Sequence, residues 1–250
     1  MQTVQQQLAG LKLTGVQAGL TLQQQQPVHY QELSFEERLS LLLDQEISLR
    51  NQRKIERLTC QARFRLKAEL ANIDYSASRQ LDKAIIRSLT QGGWLKLHQN
   101  ILITGATGGG KTWLACALGH HYCQQGMSVF YFRLKQLLAQ MYLAQADGSY
   151  RKLLDKLANC HLLLLDDWGL EPLNTQQRGD LLELIDARYD RNSTLITSQL
   201  PVDNWYQMIG ASTHADAILD RLLHRAIKIE LKGESMRKSM NKLTQGDHSG

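Results

Sequence analysis

Eight residues, Gly105-Ala106-Thr107-Gly108-Gly109-Gly110-Lys111-Thr112, constrain this chain more than any other segment. They complete the pattern G-x-x-x-x-G-K-[ST], whose glycines let backbone N–H groups turn inward and approach phosphate oxygens. The pattern works only between a strand and a helix, and both flanks are present. Ile101-Leu102-Ile103-Thr104 is an apolar run of strand length. Trp113-Leu114-Ala115-Cys116-Ala117-Leu118 opens an apolar helix whose N-terminus adds partial positive charge. The expected ligand is ATP, cradled by Gly105 to Trp113. Lys111 is expected to reach the β- and γ-phosphates and the Thr112 hydroxyl to bind Mg²⁺.

A second element fits the same chemistry. His161-Leu162-Leu163-Leu164-Leu165-Asp166-Asp167 reads as a buried strand ending in two carboxylates. Asp166 would hold Mg²⁺ through water, and Asp167 would polarise the attacking water. By itself such a pair also suits a turn or a helix cap. Thr194-Leu195-Ile196-Thr197-Ser198-Gln199 is another apolar run with a polar end, where a side chain can sense the water or the γ-phosphate. Ser198 is the first choice for that role and Thr197 the second, against a strand that simply turns before Pro201. In Asp220-Arg221-Leu222-Leu223-His224-Arg225, Arg221 is either an arginine finger toward a neighbouring subunit's γ-phosphate or the partner of Asp216 or Asp220.

From residue 100 onward, strand-length runs alternate with helix-length stretches. The runs are Ile101–Thr104, Ser128–Phe132, His161–Leu165, Thr194–Thr197 and Ala226–Leu231. This texture predicts an α/β fold, a five-stranded parallel sheet with helices on both faces and the Leu162–Leu165 strand at its centre. The preceding part lacks such runs and reads as helical. An apolar stripe at Leu8, Leu11, Leu13 and Val16 comes first, and Ser34-Phe35-Glu36-Glu37 then offers a capping box for a long helix. We expect a helical domain over 1–70, an ATPase domain over 71–240 and a disordered tail over 241–250.

The long helix leads into Arg50, Arg53, Lys54, Arg57, Arg63, Arg65 and Lys67. The first four share one face by spacing, which suits either a nucleic-acid backbone or a solvated surface. A net charge of +5 is compatible with a polyanionic partner. Cys60, Cys116, Cys123 and Cys160 lack close C-x-x-C pairing and read as free thiols. With neither a secretory signal nor a long apolar run, the expected location is the cytoplasm, without membrane contact.

Together these motifs resemble the AAA+ P-loop NTPases, and within them the DnaC-like branch and its IstB transposition helpers. The likeness rests on Gly105 to Gly119, on Leu163-Leu164-Leu165-Asp166-Asp167-Trp168-Gly169 and on Asp220 to Ala226. It extends to Ile73-Asp74-Tyr75 with the helix Gln80 to Leu89, and to Lys232-Gly233-Glu234-Ser235-Met236-Arg237. The resemblance implies a homo-oligomeric ATPase that binds double-stranded DNA with little sequence preference, remodels it and recruits or stimulates a transposase. A DnaC-like loader of a replicative helicase is the alternative. It also places the family's arginine finger on Arg221 and strengthens the reading of the basic helical face as a DNA contact. Two departures stand out. Asp167 occupies a position where many relatives carry Glu, which implies slow turnover, and too little chain follows the last strand for a helical lid.

Overall fold

The computed structural model describes residues 3–75, 81–210 and 212–232. The expected tail and the Gly233 to Arg237 part of the last motif lie outside them. Contacts divide the chain into two units, Met1–Arg57 and Leu58–Gly250. That division falls earlier than the boundary expected at residue 70.

In the first unit, α1 (Val4–Gly10) and α2 (Thr14–Gln25) precede a long helix, α3 (Phe35–Ala62), whose residues from Leu58 on belong to the second unit. The expected single stripe is broken, because Lys12 takes a positive φ of 58° between α1 and α2 and Leu11 is left exposed. The capping box forms as expected. Glu37 N donates to Ser34 Oγ and Ser34 N to Glu37 Oε2, at 3.2 and 2.7 Å. These bonds hold the Glu37 carboxyl below its ordinary range. Glu46 on α3 is buried because it works at the start of α2. Its Oε2 accepts from Gly15 N at 2.6 Å and Val16 N at 3.2 Å, placing negative charge on donors that have no partner within the helix. At the other end of α3, Arg63 adopts φ 54°. Arg65 and Lys67 therefore belong to the segment after the helix and do not extend its basic face.

Among the described residues the second unit holds five strands: β1 (Ile101–Gly105), β2 (Val129–Arg133), β3 (Leu162–Trp168), β4 (Ser193–Ser198) and β5 (Ile227–Leu231). Every pairing is parallel and the order is β2-β3-β4-β1-β5. The five-stranded α/β sheet is as expected, with one correction. β4, not β3, lies at the middle, although β3 is interior and Leu162 to Leu165 are fully buried.

Alternating side chains fill two cores, one on each face. Ile101, Ile103 and Leu164 pack with α4 (Lys83–Thr90) and α6 (Lys111–Gln124) on one side. Leu102, Leu163 and Leu165 pack on the other with α7 (Leu134–Ala146), α8 (Tyr150–Ala158), α9 (Thr175–Arg188) and α11 (Thr213–Leu223). Two short helices, α5 (Gly93–Lys96) and α10 (Trp205–Ile209), belong to the same unit. A fully buried leucine in such a layer contributes about 1.5–3 kcal/mol, so these layers dominate the unit's stability. Arg188 is also buried and ties the α8–β3 turn to β4, donating to the carbonyls of Leu157, Cys160 and Ser193 and to Thr194 Oγ1.

Candidate active site

β1 delivers the chain into the glycine loop, and α6 begins at Lys111 with Gly110 as its left-handed cap. Gly105 has no tolerable replacement. Its φ is 146°, and a Cβ there would lie 2.3 Å from the Leu231 carbonyl oxygen. Gly108 and Gly110 also take positive φ, of 83° and 86°, which lets the loop curl toward its own centre. Ala106 accepts from Gly109 N at 3.2 Å, and Thr107 Oγ1 donates to Gln199 Oε1 at 2.6 Å, anchoring the loop to the end of β4.

Lys111 is buried with its ammonium inside the loop, donating to the carbonyls of Gly105 and Ala106 at 2.8 Å each. Burial pushes its pKa below the ordinary range, and the charges of Asp166 and Asp167 oppose that shift. A cation held this way is costly to desolvate and well placed to meet an anion.

Asp166 is the hub. It is 2% exposed, and its carboxylate gathers three hydroxyl donors from three elements. Thr112 Oγ1 lies 3.0 Å from both of its oxygens, Tyr131 OH donates to Oδ2 at 2.6 Å, and Thr197 Oγ1 donates to Oδ1. Burial, then the carboxylate itself, pushes the Tyr131 phenol well above its usual value, so it stays a donor. Thr112 and Asp166 together present only oxygen atoms, a donor set that fits Mg²⁺ with water completing its shell.

Three sequence expectations change. Asp166 and Asp167 lie inside β3, which continues to Trp168 through a register irregularity after Leu165. Asp167 there takes φ 60°, so the two neighbouring carboxylates are re-aimed by a bulge. In β4, Thr197 and not Ser198 faces Asp166. The Ser198 hydroxyl donates to the Trp168 carbonyl at 2.9 Å and accepts from Leu200 N, tying off the strand end. Arg221 pairs with neither Asp216 nor Asp220. Its Nε lies 2.7 Å from Asp186 Oδ1, and its Nη1 donates to the Ala217 carbonyl.

Sequence reading missed Tyr131, Gln199, Arg65 and Arg133. Arg133 Nε lies 3.5 Å from Asp167 Oδ2, and Arg65 Nη1 lies 4.0 Å from the same oxygen. Tyr131 and Arg133 both stand on the strand that pairs with β3, Arg133 opposite Asp166, a pairing that the sequence does not announce. Beside the loop opens a cavity of about 990 Å³ lined by Gly108, Lys111, Thr112, Trp113, Phe64 and Lys67 among others, room enough for a nucleotide.

In the first unit, all four residues of the expected DNA-binding face are exposed on α3. Arg50 pairs with Glu46 at 2.6 Å and Arg53 donates to Thr14 Oγ1 at 3.0 Å, while Lys54 and Arg57 stand on the same face. Among the described residues no helix is long and apolar enough to cross a membrane, and all four cysteines are free.

Residues 6–244 match the family model described as IstB-like ATP binding protein. An insertion sequence ATP-binding protein of Sinorhizobium fredii is 49% identical over 212 residues, covering 85% of this chain and 86% of the relative. An ATP-binding protein of insertion sequence IS1162 from Pseudomonas fluorescens is 46% identical over 196 residues, covering 78% and 84%. Among solved structures, the DnaC helicase loader superposes with a TM-score of 0.58 at 22% identity, over 68% of this chain and 99% of that one. At that identity the likeness is one of fold, the AAA+ P-loop fold.

Proposed function

The chain belongs to the IstB-like ATP binding protein family, and from that premise we propose that it is a DNA-stimulated ATPase that assembles on duplex target DNA, remodels it and recruits or stimulates a transposase. One observation carries the enzymatic part: the Thr112 hydroxyl of the glycine loop and the buried Asp166 of β3 meet at 3.0 Å across 54 residues of sequence. Such a pairing of loop and acidic strand is what metal-assisted phosphoryl transfer requires.

In this reading the N–H groups of Gly105 to Thr112 and the Lys111 ammonium hold the phosphates, and Trp113 borders the nucleotide. Thr112 and Asp166 hold Mg²⁺, which when bound offsets phosphate charge. Tyr131 and Thr197 fix the rotation of the Asp166 carboxylate. Asp167 polarises the attacking water once its carboxylate is free of Arg133, and its short side chain makes turnover slow. Ser198 acts indirectly, by fixing the end of β4 that carries Thr197 and Gln199. Arg221 exchanges Asp186 for the γ-phosphate of a neighbouring subunit, which makes hydrolysis depend on assembly. Arg50, Arg53, Lys54 and Arg57 meet the DNA backbone, so binding weakens steeply with salt.

The names of the relatives favour the transposition helper over a helicase loader, because the likeness to DnaC is one of fold. Sizing the protein with and without ATP and duplex DNA tests the proposal. Assembly that needs both ligands, and that Lys111→Ala abolishes, is the expected result. A monomer under all conditions contradicts it.

A further inference from the structure

Arg65 belongs to none of the roles above, yet its position is closely set. The chain leaves α3 through the left-handed Arg63, and the next residue, Phe64, lies against Gly119 of α6. A Cβ on Gly119 would come within 2.6 Å of Phe64 Cε1, so the glycine makes room for this segment. Burial raises the Cys116 thiol, one turn earlier on the same helix, and the backbone N–H groups of Leu66 and Arg65 lie near enough to oppose that rise. Residue 65 is thus clamped at two points to the helix that begins at Lys111.

From that clamp its guanidinium reaches the acidic pair. Nη1 lies 4.0 Å from Asp166 Oδ2 and 4.0 Å from Asp167 Oδ2, and the side chain is 36% exposed. Both distances are too long for a hydrogen bond and short enough for strong attraction. The Asp166 carboxylate would also hold a metal beside Thr112, whose hydroxyl lies 3.0 Å from both of its oxygens. A divalent cation there would repel a guanidinium held 4.0 Å from the same carboxylate, so the two cannot share Asp166 without loss. Arg63 and Lys67, on either side, line the cavity with Lys111, so the segment presents cations toward a polyphosphate.

We propose that Arg65 is a tethered counter-ion of Asp166 and Asp167 that competes with the divalent metal for Asp166 and, on release, moves to the terminal phosphate of ATP. The proposal rests on the reading of Asp166 as the metal-holding carboxylate. Arg65 is a positioning residue here, since it acts on the metal through the carboxylates before it meets the nucleotide.

The test uses the full chain with Mn²⁺ as the metal probe, read by electron paramagnetic resonance in the presence of ADP, for the native protein, Arg65→Gln, Arg65→Lys and Asp166→Asn. Arg65→Gln should bind Mn²⁺ about three- to tenfold more tightly, the size expected when a partly exposed ion pair no longer competes, and Arg65→Lys should stay near native. With saturating Mn²⁺, Arg65→Gln should also lose its preference for ATP over ADP. Mn²⁺ affinity unchanged or weakened in Arg65→Gln overturns the competition, and an unchanged ATP preference overturns the move to phosphate. If Asp166→Asn binds Mn²⁺ as the native protein does, the metal site itself has been misplaced. That failure is distinct from one in which Asp166 matters and Arg65 does not.

Discussion

Replacing Tyr131 by Phe removes one hydroxyl and leaves the ring, so it isolates a single bond to the carboxylate at the centre of the site. Tyr131 is 7% exposed and Asp166 2%, and their oxygens lie 2.6 Å apart, so water cannot readily replace the lost donor. A hydrogen bond to a buried charge contributes about 1.5–3 kcal/mol, and Tyr131→Phe should destabilise by that amount. For a unit of this size the melting temperature should fall by roughly 3–12 °C. Urea unfolding followed by tryptophan fluorescence is the assay of choice. Trp94, Trp113, Trp168 and Trp205 all lie beyond Arg57, so the signal follows the nucleotide-binding unit alone.

The control is the same substitution in an Asp166→Asn background, where the bond becomes neutral. The loss should then shrink to about 0.5–1.5 kcal/mol. An equal loss in both backgrounds would refute the reasoning, because the effect would then come from packing and not from the carboxylate. The pH dependence has a definite sign. The folded phenol keeps its proton above its usual pKa, so above about pH 10 the unfolded chain binds fewer protons and stability falls as pH rises. Tyr131→Phe should flatten that fall.

Two further outcomes follow from burial. Cys60 is exposed and borders the cavity, whereas Cys116, Cys123 and Cys160 are buried and burial raises each thiol, Cys123 to about 11. A thiol reagent should modify one cysteine of four quickly in the native protein, and ATP should slow that one; fast reaction of a second thiol would contradict the packing. Arg188→Met should destabilise by about 3 kcal/mol or more, since several buried carbonyls lose their donor together, and Arg188→Lys should rescue little because one ammonium cannot span the guanidinium's fork. Near-native urea midpoints for either variant would count against that network.

The parts of this account legible in sequence are those that local chemistry decides. Gly105 to Thr112 announces its loop because only glycine tolerates the required φ and close approach. Ser34 and Glu37 announce a helix start because their reciprocal bonds span three residues. What the sequence hid depends on which strands become neighbours. Tyr131 reaches Asp166 only because β2 pairs with β3, and Thr197 does so only because β4 enters the middle of the sheet. Thr197 and not Ser198 turns toward Asp166, a choice that strand periodicity alone leaves open, since a one-residue shift exchanges the two faces. Arg221 found Asp186 on α9 and not a neighbour in sequence, a consequence of the packing of α9 on α11. The break at Lys12 had only a weak signal, since Gly10 ends α1 but the left-handed turn falls on Lys12 and not on the glycine.

The central claim, that Asp166 and Asp167 beside the glycine loop form an ATP-hydrolysing site switched by DNA, is tested most directly by phosphate release. Rates should be measured for the full chain with ATP and Mg²⁺, with and without duplex DNA, beside Asp167→Ala. The account predicts slow release that DNA accelerates and that Asp167→Ala abolishes, with ATP binding retained. Equal rates for the native chain and Asp167→Ala in the presence of DNA would contradict it.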